Sequence, residues 1–140
     1  MLSAEAAARI RSDHRDLRAL LVTFDEIARR VQDRSPGALS ELRRAMRELD
    51  TVLRAHLVME ESALVPVLPA PAVARMHTEH AGQRAALLAL THDVELDARG
   101  PAELADDVRW LARGILRDMR DEDAALDHLA VNARVGQGER

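Results

Sequence analysis

The segment LSELRRAMRELDTVLRAHLVME, residues 39–60, carries an apolar side chain at alternating steps of three and four residues. The stripe comprises Leu39, Leu42, Met46, Leu49, Leu53 and then His56 and Glu60. This spacing places all of them on one face of an amphipathic helix, the face that a helical bundle buries. A buried His or Glu is costly unless it is paired or binds a cation, so the end of this stripe indicates a metal site.

Three other segments show the same alternation, and each is also interrupted by residues that can bind a metal. The first stripe is Ile10, His14, Leu17, Leu21, Phe24, Ala28 and Val31; the third is Val73, Met76, His80, Gln83, Leu87, Leu90 and Val94; the fourth is Leu104, Val108, Leu111, Ile115, Asp118, Glu122, Ala125 and Leu129. Ligand-type side chains on all four stripes therefore face one predicted interior: His14, His56, Glu60, His80, Asp118 and Glu122.

Turn-forming residues divide the chain into four predicted helices. Ser, Pro and Gly cluster at 35–37, 66–71 and 100–101, where they end one helix and begin the next. The predicted helices span residues 3–33, 36–65, 71–97 and 101–130. Short connections make sequential helices antiparallel, so we predict an all-α, up-down-up-down antiparallel four-helix bundle over residues 1–131 and a disordered polar tail at 132–140.

The predicted ligands also agree in height along the bundle axis. With turns centred near residues 34, 68 and 99, the three His ligands and Asp118 lie within roughly 3 Å of one level, at a rise of ~1.5 Å per residue. Glu60 and Glu122 follow about 6 Å further along, on the faces of His56 and Asp118. The spacing therefore predicts a layered site inside the bundle.

The composition limits the ligands and partners. The chain of 140 residues fits one domain, and because it has no Cys, a metal must be held by His and carboxylate. A net charge of −4, no Tyr and single Phe and Trp residues argue against a nucleic-acid partner. Because no stretch reaches the ~18 apolar residues of a membrane span, and no signal segment is seen, we expect no membrane contact and a cytoplasmic location.

The segment His56-Leu-Val-Met-Glu60-Glu61-Ser-Ala-Leu64-Val-Pro66 resembles the H-x-x-x-E-E-x-x-L-x-P signature of the hemerythrin family, specifically its bacterial HHE cation-binding branch. Asp13-His14 and Glu79-His80 match the two other places where that family has a ligand His. The resemblance covers residues 9–130 and implies a non-haem di-iron centre inside the bundle. It implies that Glu60 and Glu122 bridge two iron ions, with His14, His56 and His80 as terminal ligands.

The fourth helix departs from the family pattern at one ligand. Where the family has H-x-x-x-E-E-x-x-L, this chain reads Asp118-Met-Arg-Asp-Glu122-Asp123-Ala-Ala-Leu126. Asp can bind a metal, but its shorter side chain is expected to need a bridging water or a small helix shift. Three His and three carboxylates are closer to a ferritin-like oxidase centre than to a reversible oxygen carrier. Met76 stands where oxygen-carrying hemerythrins keep a further His, which leaves a coordination position open.

On the sequence alone, three functions remain open: a di-iron oxidoreductase of the peroxidase, catalase, ferroxidase or NO-reducing kind; sensing or storage of O2, NO or iron; or a degenerate, metal-free interaction domain. The expected cofactor is two Fe ions, with Mn or Zn as alternatives for the same ligands. The expected partner is a small diatomic or peroxide ligand, with the chain a monomer or weak homodimer. His77 is an alternative to His80, while Glu61 and Asp123 are expected to pair with surface Arg residues or to support the ligands from behind.

Overall fold

The computed structural model describes residues 2–96 and 99–138, and only the backbone after residue 129. The described part contains four α-helices and no strand: α1 (Ala4–Gln32), α2 (Ala38–Leu64), α3 (Ala70–Leu96) and α4 (Pro101–Gly138). Helices α1 and α3 each pack against both α2 and α4. The predicted antiparallel four-helix bundle is confirmed.

Helix boundaries follow from local capping. The Ser3 side chain accepts a hydrogen bond from the Ala6 backbone N–H at 3.0 Å and so caps the amino terminus of α1. The α1–α2 turn contains two left-handed residues, Arg34 at φ 56° and Gly37 at φ 78°. The predicted start of the second helix at residue 36 was two residues early, because Gly37 takes a conformation that cannot continue a right-handed helix.

Helix α4 continues to Gly138, beyond the predicted end at residue 130. That end was placed on polarity alone, whereas no Gly or Pro interrupts the segment between residues 130 and 135. The last two residues of the predicted tail, and the predicted end of the third helix at 97, lie outside the described residues. The division into a bundle and a separate tail stays a prediction.

Two apolar clusters fill the bundle, one on each side of a polar layer. The larger cluster draws on all four helices and includes Phe24, Leu42 and Leu87, each almost fully buried. The smaller cluster consists of Ile10, Leu64, Met76 and Leu126. Burying a large aliphatic or aromatic side chain contributes roughly 1.5–3 kcal/mol, so the larger cluster accounts for most of the hydrophobic stabilisation.

The predicted stripes match the buried faces of the first three helices, except that Leu39 and Val73 are only partly buried, and they shift in α4. Beyond Ile115, the buried apolar positions are Met119 and Leu126 rather than the predicted Asp118 and Ala125. The buried face therefore takes a step of four residues, not three, after Ile115. Because an α-helix has 3.6 residues per turn, a strict alternation of three and four drifts from the true face and is corrected by such steps. The correction moves Asp118 to the flank of the interior.

Candidate metal centre

The polar layer lies where the four predicted ligand stripes meet between the two apolar clusters. His14, Glu60 and His80 have no exposed surface, and His56 is 3% exposed. Glu122 is mostly buried, with 15% of its side chain accessible. Polar groups buried this deeply must be paired or must hold a cation.

Four of the six predicted ligands form one tight group: His14, His56, Glu60 and Glu122. One donor atom from each lies within 4.8 Å of all the others. His14 Nε2 is 3.1 Å from Glu122 Oε2, and His56 Nε2 is 2.7 Å from Glu60 Oε2. A cation about 2.0–2.2 Å from each donor requires donor separations of roughly 3–4.4 Å, so a small contraction would complete the shell.

His80 approaches the same two carboxylates from α3. Its Nε2 is 3.6 Å from Glu122 Oε1 and 4.0 Å from Glu60 Oε2. Glu122 therefore directs one oxygen toward His14 and the other toward His80. Both carboxylates lie between the His14–His56 side of the centre and the His80 side.

Asp118 is not part of this group. Its Oδ2 accepts a hydrogen bond from Gln83 Nε2 at 2.6 Å, and its Oδ1 is 3.9 Å from Arg117 Nε. The side chain is 16% exposed, on the flank that the shift in α4 gives it. In this position Asp118 accepts the hydrogen bond of Gln83 and lies outside the central group. Of the other His residues, the alternative ligand His77 is exposed and outside the group, as are both His92 and His128.

Each central imidazole is supported from behind by a carboxylate that faces its Nδ1. These pairs, each joining two helices, are His14 with Asp123 at 2.7 Å, His56 with Asp13 at 3.2 Å, and His80 with Glu61 at 3.0 Å. A carboxylate at Nδ1 keeps the proton on that nitrogen and directs the Nε2 lone pair toward the centre.

All three supporting acids are sequence neighbours of a central residue, and each supports a ligand on a different helix. Two of them also bind Arg: Asp123 accepts a hydrogen bond from Arg18, and Glu61 accepts one from Arg84 at 2.8 Å. The predicted pairing with surface Arg and the predicted support of the ligands thus occur together. The role of Asp13 was missed, although its position beside His14 was the available signal.

Helix α3 offers a fourth acid of the same kind, Glu79, next to His80. It has no hydrogen bond or ion pair among the residues that the structure describes. Burial raises the pKa of Glu79, and the neighbouring carboxylates of Asp118 and Glu122 raise it further. At position 118, where the family pattern has a His, this chain presents a second carboxylate to Glu79. The departure at Asp118 therefore leaves Glu79 without an imidazole partner among the described residues.

Several atoms that could bind a metal are buried at the centre and have no hydrogen bond among the described residues. They are Nε2 of His14, His56 and His80, both oxygens of Glu60, and Oε2 of Glu122. With the imidazole protons on Nδ1, each Nε2 is an acceptor that faces carboxylate acceptors. Such an arrangement is repulsive unless a proton or a cation lies between the atoms. Imidazole and carboxylate are ligands that suit first-row divalent ions, so the residues present fit a metal.

Burial and charge shift the pKa values of the central groups in opposite directions. Burial raises the pKa of Glu60, and the nearby Glu122 carboxylate raises it further. Burial also opposes ionisation of Glu122, but His14 and His80 outweigh it and lower the pKa of that group. Burial disfavours the charged form of His14 and His80. Glu122 and the supporting acids favour that form more strongly, so the pKa of both imidazoles is raised. The metal-free cluster therefore holds extra protons, which a cation would displace.

The fold and the polar layer define a helical-bundle protein with a His and carboxylate cluster that can bind metal. A family model described as the hemerythrin HHE cation binding domain matches residues 5–129. The chain belongs to this family. No curated protein and no solved structure matches it at a significant level. No described helix combines the length and the apolar character that crossing a membrane requires.

Proposed function

We propose that the chain is a non-haem di-iron protein in which Glu60 and Glu122 bridge two iron ions. The observation that carries the proposal is the position of Glu122, whose two carboxylate oxygens face imidazoles on two different helices, 3.1 Å from His14 and 3.6 Å from His80. A carboxylate placed in this way is suited to join two cations rather than to complete the shell of one.

The two metal positions are unequal in this proposal. The first has four donors already within reach, from His14, His56, Glu60 and Glu122. The second has His80 and the two shared carboxylates, while Asp118 is held by Gln83. With fewer protein donors, the second position would hold its ion more weakly and would leave more room for water or a small ligand.

The chemistry we propose for the centre is binding or reduction of O2, peroxide or NO, or the handling of iron itself. Two iron ions in one site supply paired one-electron redox steps when bound. The carboxylates behind the imidazoles hold the imidazole protons on Nδ1, and the larger apolar cluster limits access of water from its side of the centre. The chain contains no Tyr, so this chemistry does not use a tyrosyl radical.

The test is anaerobic titration of the metal-free protein with Fe(II), followed by metal quantification and an optical spectrum in air. We expect two ions per chain, bound in two steps, and ferric charge-transfer absorption after exposure to air. In Glu122→Gln the first step weakens and the second is lost, because Glu122 supplies a donor to both positions, whereas the neighbouring exposed Asp121→Asn retains both steps. Retention of less than half an ion per chain, with thermal stability unaffected by chelator, would instead favour a metal-free interaction domain.

A further inference from the structure

A cavity of about 350 Å³ lies between α3 and α4, next to the metal centre. Its lining is mainly apolar and includes Leu64, Leu68, Met76, Ala125, Leu126 and Leu129. The cavity follows from the shift in α4, because the step of four residues after Ile115 buries Leu126 and turns the small Ala125 toward the cavity instead of the core.

The polar groups of the cavity are divided between its inner wall and its rim. Glu122, mostly buried and with Oε2 inaccessible, forms the inner wall and connects the cavity to the metal centre. Arg75, Glu79 and Asp121 are exposed and form the rim. Three carboxylates against one guanidinium disfavour an anionic ligand. The Glu122 carboxylate of the inner wall already faces the imidazoles of His14 and His80, so it is not free to serve as the counter-charge of a buried cation. The lining therefore favours an uncharged molecule.

The volume exceeds what a diatomic ligand needs. A water molecule occupies about 30 Å³ in the liquid, so the cavity corresponds to roughly twelve waters. Ligand pockets of about 300–1,000 Å³ with apolar walls and few polar groups are typical of sites for small organic molecules. A cavity of this size beside a metal centre is suited to the body of such a molecule, with one polar end at Glu122.

We propose that this cavity binds an uncharged small organic molecule with an apolar body and one oxygen-bearing end, the chemistry that an alcohol or an organic hydroperoxide presents. The apolar body lies among Met76, Ala125 and Leu126, and the oxygen end points toward Glu122. The direction of the oxygen end rests on the proposed metal centre, whereas binding of the apolar body rests on the cavity alone.

The experiment uses the full chain, both metal-free and iron-loaded, and titrates it with primary alcohols from butanol to octanol. Binding is followed by the methyl resonances of the Leu and Met side chains. Burial of one methylene is equivalent to ~0.8 kcal/mol, so the dissociation constant should fall about fourfold for each added carbon until the cavity is filled. Hexanoate, which is anionic at neutral pH, should bind at least tenfold more weakly than hexanol.

Two matched variants locate the binding. Ala125 lines the cavity, whereas its neighbour Ala124 is exposed and lies outside the lining. We expect Ala125→Phe to weaken hexanol binding tenfold or more and to abolish the dependence on chain length, with Ala124→Phe unchanged. If Ala125→Phe loses its helical circular dichroism, Ala72→Phe on the α3 side of the cavity makes the same test.

The outcomes separate this proposal from the proposed metal centre. Equal binding by the two Phe variants, or affinity independent of chain length, overturns the cavity proposal even when every protein holds two iron ions. If alcohol binds as expected but the protein retains no iron after loading with Fe(II), the result supports the cavity proposal and overturns the di-iron proposal.

Discussion

Replacing Asp123 by Asn should weaken metal binding, although Asp123 is not expected to touch the metal. Its Oδ1 faces His14 Nδ1 at 2.7 Å, the shortest of the three supporting contacts. Loss of the negative charge removes the preference for a proton on Nδ1 and makes Nε2 a poorer donor. Removal of such a supporting group typically lowers metal affinity by about 10- to 100-fold, equivalent to roughly 1.4–2.7 kcal/mol.

Asp127→Asn is the matched control. Asp127 lies one turn further along α4, accepts a hydrogen bond from Arg11 at 2.7 Å, and has a 72% exposed side chain. Both substitutions remove one negative charge and one Arg partner from the same helix, but only Asp123 contacts an imidazole. An exposed ion pair contributes about 0–1 kcal/mol and has no path to the metal, so the control should bind metal like the original chain.

The measurement is competition between the protein and a chelator of known affinity, with anaerobic Fe(II), at fixed pH and salt concentration. The dissociation constant of Asp123→Asn divided by that of Asp127→Asn gives the effect of Asp123 on metal binding through His14. A ratio below two, with both variants folded, would refute the supporting role and reduce the contact to a surface interaction.

Three further predictions concern the central groups. In metal-free protein, Glu60→Leu should raise the free energy of unfolding by about 1–3 kcal/mol, because it removes a fully buried carboxyl group that lies against the Glu122 carboxylate. Denaturation in the presence of chelator measures this, and a decrease would show that the bundle satisfies Glu60 without metal. Asp118→His should raise affinity for the second ion about tenfold or more, since the imidazole reaches further and has Glu79 to support it. Unchanged affinity and an unchanged optical spectrum would exclude position 118 from the ligand set. The pKa values of Glu60, His14 and His80 are raised, so the folded metal-free protein binds more protons than the unfolded chain. Thermal denaturation should therefore show the stability of this protein falling as pH rises above the unfolded pKa values, about 4.5 for Glu60 and 6.5 for the two imidazoles, and stabilisation by metal should grow over the same range. A stability that rises with pH in the presence of chelator would contradict the raised pKa values.

The apolar spacing was sufficient to predict the bundle and most of its buried faces. In α1, Phe24 and Ala28 are buried as predicted, and in α3 so are Leu87 and Val94. The prediction failed in the second half of α4, where Asp118 and Met119 lie side by side and a fixed alternation of three and four chose the wrong one. Only contacts with neighbouring helices determine where the step of four falls, and a single helix sequence does not contain them.

The candidate site shows the same division between local pattern and contacts across helices. Interruptions of the apolar stripes identified the central His and Glu residues, because ligand-type residues at core positions are conspicuous. The supporting acids were harder to assign, since the pairing of Asp13 with His56 and of Glu61 with His80 depends on rotamers and on the relative heights of two helices. The cavity beside Glu122 was not predicted, because it depends on the rotation of α4.

The pairing of His14 with Asp123 joins positions 109 residues apart. Contacts of such sequence separation require closure of nearly the whole chain, which generally makes them slow to form during folding. A metal ion bound by His14 of α1 and Glu122 of α4 would therefore bind only to chains in which the first and last helices have already docked. Metal binding at this centre would then be coupled to the docking of α1 against α4, the last long-range contact that the chain has to make.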